Sequence, residues 1–329
     1  MKYYSYNDEH TIICNLCKHY CKLNNGRTAK CGINKNVDGK LVNLTYNHPS
    51  TIHIDPIEKK PLYHFLPGTK SLSIGTVGCN FRCPFCQNYT ISQTKAVDES
   101  IVYTPQDLVD IAVTNGVESI SYTYNEPTTW YPYAKDIGIL AKKKGIKNVF
   151  VSSGYESKEV FEDMQSWVDA ANIDLKSFSY DYYQHVLKTK LDGVLDTLKS
   201  FAKSDIWLEI TTLIIPGVND SDEEIDKMAE FIACNLGIDV PWHFSAFHPD
   251  YKMLDTPNTS LESLQRVKSI AKGFGIKHVY IGNVRNDNST YCAKCNAQLI
   301  KREGFHSHIE YLEDSKCSTC NESIKGIWL

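Results

Sequence analysis

The stretch SLSIGTVGCNFRCPFCQN at residues 71–88 joins an apolar run to three closely spaced cysteines. The run at 71–78, rich in small and apolar residues, predicts a strand. Cys79, Cys83 and Cys86 follow it directly with the spacing C-x3-C-x2-C. Because the chemistry of parallel α/β folds lies on the loops that follow strands, this junction indicates both a fold class and the position of a site.

Beyond this junction, apolar runs alternate with helical patterns. Further strands are predicted at 119–124, 149–153, 171–176, 207–214, 242–247 and 278–281. Helices are predicted between them at 105–116, 128–144, 158–167, 182–200, 221–235 and 261–274. Thr104 before Pro105, and Ser221 with Glu224 as a capping box, mark two helix starts. The repeated βα units predict a parallel sheet, either an open doubly wound sheet or a barrel.

Polar residues stand where most of these strands finish. Asn125 and Glu126 follow the second strand, Asp174 and Lys176 belong to the fourth, and His243 belongs to the sixth. Any one of them could simply mark a strand end. Together they predict a polar site at the carboxyl edge of the sheet.

The composition is that of an ordinary globular protein. Of the 329 residues, 42% are hydrophobic and 22% are charged, and the net charge is −4. This balance disfavours a protein that coats nucleic acid or a membrane surface. No apolar run approaches the roughly 20 residues of a membrane span, and residues 1–10 carry no secretory pattern, so we expect a cytoplasmic protein.

Eleven of the twelve cysteines fall into three groups, which indicates metal ligation rather than disulfides. The groups are Cys14, Cys17, Cys21 and Cys31; Cys79, Cys83 and Cys86; and Cys292, Cys295, Cys317 and Cys320. Three thiolates at 79–86 can hold three corners of a [4Fe–4S] cluster and leave one iron open, as catalytic metal sites do. A zinc site, or a fourth thiolate from elsewhere, is the alternative.

The central motif resembles the signature of the radical S-adenosylmethionine (SAM) superfamily, including Phe85 just before the third cysteine. The resemblance spans roughly residues 68–282. It implies a partial (β/α)6 TIM-type barrel, with a seventh short strand. It also implies a [4Fe–4S] cluster whose open iron binds the methionine part of SAM. Reductive cleavage of SAM would then give a 5′-deoxyadenosyl radical that abstracts hydrogen.

Within the superfamily, the chain most resembles activating enzymes of the pyruvate formate-lyase type, in particular the AmmeMemoRadiSam-system branch. The motifs that carry this resemblance are DPIEKKPLYHF at 55–65, GCNFRCPFCQN at 78–88, YNEP at 124–127, IDLK at 173–176 and PGVND at 216–220. The usual Gly-Gly-Glu after the second strand is here Tyr124-Asn125-Glu126. The carboxylate is kept, but the loss of glycine predicts a backbone that approaches the cofactor less closely.

The resemblance assigns SAM to a site with charges of both signs. We expect Asn125 and Glu126 to bind it, with Glu126 accepting from the ammonium group; a solvated loop acid is the alternative. Lys176 is expected to neutralise the carboxylate, while Asp174 orients Lys176 or binds the ribose or a cation; a structural ion pair is the alternative. His243 is expected to contact the adenosine part, unless it is a hydrogen-bonded core histidine.

The segment 55–65 before the first strand holds Lys60, Tyr63 and His64. These residues either line the mouth of the barrel or form a solvated charged turn.

The outer cysteine groups define two further modules. The sequence predicts an N-terminal cysteine-rich module at 1–67, the barrel at 68–285, and a module resembling a zinc ribbon at 286–329. Cys292, Cys295, Cys317 and Cys320 have nearly the spacing of a zinc ribbon, which favours zinc over an auxiliary Fe–S cluster. The N-terminal four are expected to hold zinc or a second cluster. Cys234 stands alone and is expected to fill apolar space.

The predicted function is hydrogen abstraction from a protein substrate, as in activases that make glycyl radicals. Alternatives are the same radical chemistry on a small molecule or peptide, and a nonenzymatic metal-binding adaptor for RNA or protein. The resemblance implies a flavodoxin or ferredoxin as electron donor and a Memo-type functional partner. We expect no membrane partner and find no strong signal for nucleic-acid binding.

Overall fold

The computed structural model describes residues 3–8 and 11–328, and its centre is an eight-stranded sheet. The outermost positions of the two predicted terminal modules (1, 2, 9, 10 and 329) lie outside the described residues. The strands of this sheet are β6 (Thr51–Pro56), β7 (Lys70–Gly75), β8 (Ser119–Tyr122), β9 (Lys147–Ser152), β10 (Ala170–Asp174), β11 (Trp207–Ile214), β12 (Trp242–Ala246) and β13 (Val279–Gly282).

The strands β7 to β13 are all parallel and stand side by side in chain order. A doubly wound sheet reverses its strand order at a switch point, and this order never reverses. The predicted partial barrel with a seventh strand is therefore confirmed, and the open doubly wound alternative is wrong. The sequence did not predict β6, which pairs antiparallel with β7 at the edge of the sheet.

Helices connect the strands much as the pattern predicts. They are α1 (Tyr89–Ser92), α2 (Pro105–Thr114), α3 (Tyr131–Lys143), α4 (Lys158–Met164), α5 (Leu191–Ala202), α6 (Asp222–Phe231) and α7 (Leu261–Gly273), with 3-10 turns at Ile57–Lys59 and Pro127–Trp130 and π-helical turns at Tyr182–Leu187 and Ile232–Leu236. The helix predicted at 182–200 is two elements, because Lys188 adopts a left-handed conformation (φ 61°) after the π turn.

The predicted helix starts differ in how completely they are capped. Thr104 and Asp107 form a full capping box at α2. At α6 the Ser221 side chain accepts from the Glu224 amide, but the Glu224 carboxylate accepts from Ser177 and the Phe178 amide. The predicted box at Ser221 is therefore only half formed, and Glu224 ties α6 to the loop after β10.

The N-terminal residues form small sheets that pack on the barrel. Strands β1 (Tyr4–Tyr6), β2 (Thr11–Cys14) and β3 (Lys22–Asn24) form one antiparallel sheet, and β4 (Asn34–Val37) pairs with β5 (Lys40–Asn43). Ile12, Leu16 and Ile33 belong to the same apolar core as the barrel. The predicted boundary between the N-terminal module and the barrel, at residue 67, falls between β6 and β7, which pair with each other in the barrel sheet.

The C-terminal module has a small core of its own. It contains β14 (Thr290–Tyr291), β15 (Gln298–Glu303), β16 (His306–Ile309), β17 (Leu312–Glu313) and β18 (Lys316–Cys317). It docks on the segment before β7: Arg302 Nη2 donates to Tyr63 O (2.6 Å), and His64 Nδ1 lies 2.9 Å from Lys325 O. Within the described part of the chain, no helix has the length and apolar character that a membrane span requires.

Candidate active site

The three central cysteines line a cavity of about 410 Å³ at the carboxyl edge of the sheet. Cys79 and Cys83 are buried, and Cys86 is partly exposed. The cavity walls also include residues at the ends of, or just after, the six other parallel strands; among them are Tyr124, Asn125, Glu126, Ser152, Ser153, Asp174, Lys176, Thr211, Ser245 and Asn283. The structure thus brings together the predicted thiols and four of the five residues predicted to bind SAM.

Asn125 fastens the ends of two neighbouring strands to each other. Its Nδ2 donates to Gly78 O (2.7 Å), and its Oδ1 accepts from Thr76 N (3.3 Å) and Trp130 Nε1 (3.0 Å). These bonds satisfy the buried amide and fix the backbone just before Cys79. Asn125 is therefore placed to position the cysteine loop.

Glu126 is buried in the wall of the cavity and is held by four donors. They are Thr128 N (3.2 Å) and Oγ1 (2.7 Å), Ser152 Oγ (2.9 Å) and Ser153 N (2.7 Å). Burial raises the pKa of Glu126. A buried carboxylate facing a cavity favours a cationic ligand. The alternative of a solvated loop acid is wrong.

A second buried carboxylate, Glu156, lies behind Glu126, and the sequence analysis did not identify it. Ser152 Oγ donates to Glu156, and Thr128 Oγ1 lies 3.4 Å from its Oε1. Burial, and then the charge of Glu126, raise the pKa of Glu156 to about 7. The pattern gave no signal for Glu156, because it lies on an irregular loop.

Asp174 and Lys176 form an ion pair with Lys176 Nζ 2.6 Å from Asp174 Oδ2. Burial acts to lower the pKa of Lys176, but the neighbouring Asp174 and Cys83 raise it above its usual value. Lys176 is therefore a fixed cation in the cavity wall. Asp174 is the more exposed of the two, with 35% of its side chain accessible.

Tyr124 occupies the position where the superfamily has glycine, and it adopts a glycine-like conformation with φ 70°. Its hydroxyl donates to Asp55 Oδ2 (2.8 Å), and Lys60 Nζ lies 4.9 Å from its ring centroid. Lys60 is only 3% exposed and pairs with Asp55 at 2.7 Å. These contacts hold a tyrosine in a backbone region that L-residues seldom adopt. Lys60 lines the cavity, so the predicted solvated turn is wrong for this residue.

His243 does not line this cavity. It is the second residue of β12, and its Nε2 lies 2.6 Å from Glu209 Oε2. Glu209 also accepts from the Tyr63 and His64 amides, at 3.0 and 2.7 Å. The expected contact of His243 with adenosine is therefore corrected to a buried hydrogen-bonded pair. Tyr63 and His64 are likewise absent from the residues that line the cavity.

The four C-terminal cysteines form a compact set of sulfurs, all within 4.8 Å of one another. Cys292 and Cys320 approach to 3.6 Å, as do Cys295 and Cys317. Tetrahedral zinc with Zn–S bonds of about 2.3 Å places its sulfurs about 3.8 Å apart. The arrangement therefore fits a single zinc ion.

The four N-terminal cysteines line a second cavity together with His19, Asn34, Asn80 and Thr129. Cys14, Cys17 and Cys31 are buried, and Cys21 is partly exposed. Asn80 is the residue after Cys79, so this cavity adjoins the loop of the central cysteines. Cys234 is exposed rather than buried, and the prediction that it fills apolar space is wrong.

A family model described as the radical SAM superfamily matches residues 73–232, which include all three central cysteines. The chain belongs to the radical SAM superfamily. This radical SAM protein is 40% identical to an uncharacterized protein of Methanocaldococcus jannaschii, across 98% of this chain and 97% of the relative. It is 22% identical to pyruvate formate-lyase 1-activating enzyme of Escherichia coli, across 62% of this chain and 89% of that enzyme.

A solved structure of a radical SAM methyltransferase from Sphaerobacter thermophilus shares the fold of this radical SAM protein. The TM-score is 0.54 at 14% identity, and the match covers 91% of this chain and 80% of that one. The superfamily is catalytic and uses a [4Fe–4S] cluster and SAM. The donor set fits the cluster and SAM, since three thiols, the buried Glu126 carboxylate and the partly buried Lys176 ammonium face one cavity.

Proposed function

We propose that this radical SAM enzyme abstracts hydrogen from a protein substrate, as glycyl-radical activases do. The observation that carries the proposal is the shared cavity of the three cysteines with Glu126 and Lys176. The similarity of this chain to an activating enzyme, across 89% of that enzyme, supports the choice of a protein substrate. Membership in a catalytic superfamily argues against a nonenzymatic adaptor.

The proposed roles of the residues follow from their charges and burial. Cys79, Cys83 and Cys86 bind the cluster, Glu126 accepts from the ammonium group of SAM, and Lys176 binds its carboxylate. Asp174 orients Lys176 and, being partly exposed, can also bind the ribose. When bound and reduced, the cluster supplies the electron that cleaves SAM, and the protein orients the cofactor and excludes competing reactions. Asn125 acts indirectly, because it fixes the backbone just before Cys79 and so positions the cysteine loop.

The proposed partners follow from the chemistry and from the sequence resemblance. One-electron cleavage of SAM needs a low-potential donor, and a flavodoxin or ferredoxin is proposed. We propose a cytoplasmic location, since cysteines grouped as metal ligands are typical of a reducing compartment. The C-terminal cysteines are proposed to bind zinc. A Memo-type functional partner stays a prediction of the resemblance.

The cleavage step is tested by replacing one cluster thiol. We expect Cys83→Ala to lose 5′-deoxyadenosine formation, because a cubane held by two thiolates is not retained, while the exposed control Cys234→Ala keeps it. Glu126→Gln should keep its iron but bind SAM about 10- to 100-fold more weakly, since a charge-assisted hydrogen bond contributes roughly 1.5–3 kcal/mol. Full activity of Cys83→Ala would contradict the mechanism.

The nature of the substrate is tested with the reduced, SAM-loaded enzyme. We expect a radical signal in electron paramagnetic resonance when the enzyme is mixed with its target among candidate glycyl-radical proteins. Turnover of a metabolite or a free peptide, with no protein radical from any candidate, would overturn the activase proposal in favour of small-molecule or peptide chemistry.

A further inference from the structure

We propose that Cys14, Cys17, Cys21 and Cys31 hold an iron–sulfur cluster, rather than zinc, and that this cluster passes electrons to the cluster at Cys79, Cys83 and Cys86. The electron-transfer part of this inference rests on the proposed function. The identity of the metal stands on observations of the N-terminal site alone.

The distances between sulfurs distinguish the three cysteine groups. Within residues 3–8 and 11–328, only the C-terminal group brings three or more metal-ligating atoms within 4.8 Å of one another. A single zinc ion requires such a compact set, since its four thiolates lie about 3.8 Å apart. A cubane instead binds each thiolate at a different iron, which spreads the sulfurs. The N-terminal group lacks this compactness, as does the central group, to which the superfamily assigns a cluster.

Two amide side chains face the cavity between the N-terminal cysteines as hydrogen-bond donors. Asn34 Nδ2 lies 3.4 Å from Cys31 Sγ. Asn80 is fully buried, its Nδ2 makes no other hydrogen bond among the described residues, and its side chain lies against the Cys17 thiol. A buried N–H group next to a thiol is better satisfied when that sulfur is a metal-bound thiolate, because a charged acceptor forms the stronger hydrogen bond. The sulfides and thiolates of a cluster are such acceptors, and hydrogen bonds to them tune its potential.

The N-terminal site is in direct contact with the loop of the central cysteines. Asn80 lines the N-terminal cavity, and its Oδ1 lies 3.9 Å from Cys79 Sγ. Gly78 packs so tightly that a Cβ there would lie 2.9 Å from Cys31 O. Arg82 donates to Cys79 O (2.8 Å) and to Lys30 O (2.5 Å). One short segment therefore connects the two sets of thiols.

The surroundings of the N-terminal site are basic. Lys30 and Arg82 contact each other through the Lys30 carbonyl, and Lys30 Nζ donates to Lys188 O (2.6 Å). These cations compensate the negative charge of a thiolate-bound cluster and present a docking surface to an acidic donor protein. In the proposed relay, reduced flavodoxin or ferredoxin loses one electron to the N-terminal cluster. That cluster is reoxidised when it passes the electron to the central cluster.

The metal is tested in the anaerobically purified and reconstituted full chain. The variant carries alanine at Cys79, Cys83 and Cys86, and it leaves the N-terminal site unaltered. We expect about eight irons in the wild type and about four in the variant, which keeps a cluster signal in electron paramagnetic resonance that SAM does not perturb. Zinc should be about one per chain in both. A variant with no iron and a second zinc would overturn the proposal.

The relay is tested with Cys31→Ser, using Cys234→Ser as the matched control. We expect the flavodoxin-driven rate of 5′-deoxyadenosine formation to fall at least about tenfold relative to the dithionite-driven rate, because dithionite can reduce the central cluster directly. An equal fall with both reductants would overturn the relay. A wild type that forms no 5′-deoxyadenosine would instead refute the proposed function, and the iron contents would still decide the metal.

Discussion

At the scale of single residues, Tyr124 shows how a position that usually requires glycine tolerates a large side chain. A left-handed conformation costs an L-residue roughly 1–2 kcal/mol. Here the hydrogen bond to Asp55 and the nearby Lys60 ammonium act against that cost. The backbone keeps a glycine-like conformation, and the tyrosine becomes part of the cavity wall, while the expected wider separation of this backbone from the cofactor stays a prediction.

Removing the carboxylate of Asp55 should strongly destabilise the protein. In Asp55→Asn, Lys60 is left as a buried, unpaired cation, and breaking a buried pair costs about 3–5 kcal/mol. Lys59→Ala is the matched control, because Lys59 is 51% exposed and its pair with Asp55 contributes less than about 1 kcal/mol. Urea unfolding at pH 7 measures both.

The same variant should show a distinctive pH dependence. Burial already lowers the pKa of Lys60, and removing Asp55 removes the group that opposes this shift. The native variant then binds fewer protons than its unfolded state between the lowered pKa and the normal lysine pKa. Its stability should therefore rise relative to wild type as the pH rises from 7 to 10. A difference that does not change with pH would show that removing Asp55 leaves the pKa of Lys60 where it is in the wild type.

At the scale of elements, Gly78 is the point where the end of the first parallel strand meets the N-terminal sheets. Its φ is 84°, and a Cβ there would lie 2.6 Å from Ile33 Cγ2. Gly116 also has a positive φ (59°), but a Cβ there would meet nothing within 4 Å. At both positions an alanine would have to adopt an unfavourable left-handed backbone conformation. Only at Gly78 would its Cβ also clash with neighbouring atoms.

Gly78→Ala should therefore lose more stability than Gly116→Ala, by about 1–3 kcal/mol of overpacking. We also expect Gly78→Ala to lose iron, because the change displaces the backbone next to Cys79. Chemical unfolding and iron analysis measure the two effects. Equal behaviour of the two variants would show that the N-terminal sheets do not pack tightly on the cysteine loop.

The parallel strands and most helices could be predicted from the sequence, because buried parallel strands read as continuous apolar runs between helical patterns. Strand β6 was missed because TIHIDP mixes exposed and buried positions without alternation. His243 was placed at the wrong end of its strand. A polar residue does not by itself show which end of a strand it occupies. The partner of His243, Glu209, lies 34 residues away in the sequence. Glu156 and Lys60 acquire their environments only through tertiary packing.

At the scale of the whole molecule, the C-terminal module is tied to the barrel through the segment 57–66. Phe65 pairs with Ile327, and Arg302 stacks on the Tyr63 ring at 4.3 Å while donating to the Tyr63 carbonyl. Tyr63 and His64 in turn donate their amides to Glu209 on β11. The module therefore supports the segment that packs against the barrel strands.

Loss of zinc should accordingly reach beyond the C-terminal module. We expect Cys295→Ser to lose zinc and more than about 3 kcal/mol of stability, because the binding energy of structural zinc is folding energy. Cys234→Ser, also an exposed cysteine, is the control. Hydrogen exchange should show faster exchange at the Tyr63 and His64 amides. Protection of these two amides equal to that of wild type would contradict the coupling.

The contrast in sulfur spacing bears on how the protein matures in the cell. A polypeptide with eleven clustered thiols faces free zinc as soon as it leaves the ribosome, and zinc competes with iron for sulfur ligands. The C-terminal quartet, with sulfurs 3.6 Å apart in pairs, can capture a bare ion without help. The two other groups lack this spacing, and on the proposed assignments each would take up an inorganic core instead. The spacing of the sulfurs would then direct zinc to the C-terminal quartet and iron to the other two groups.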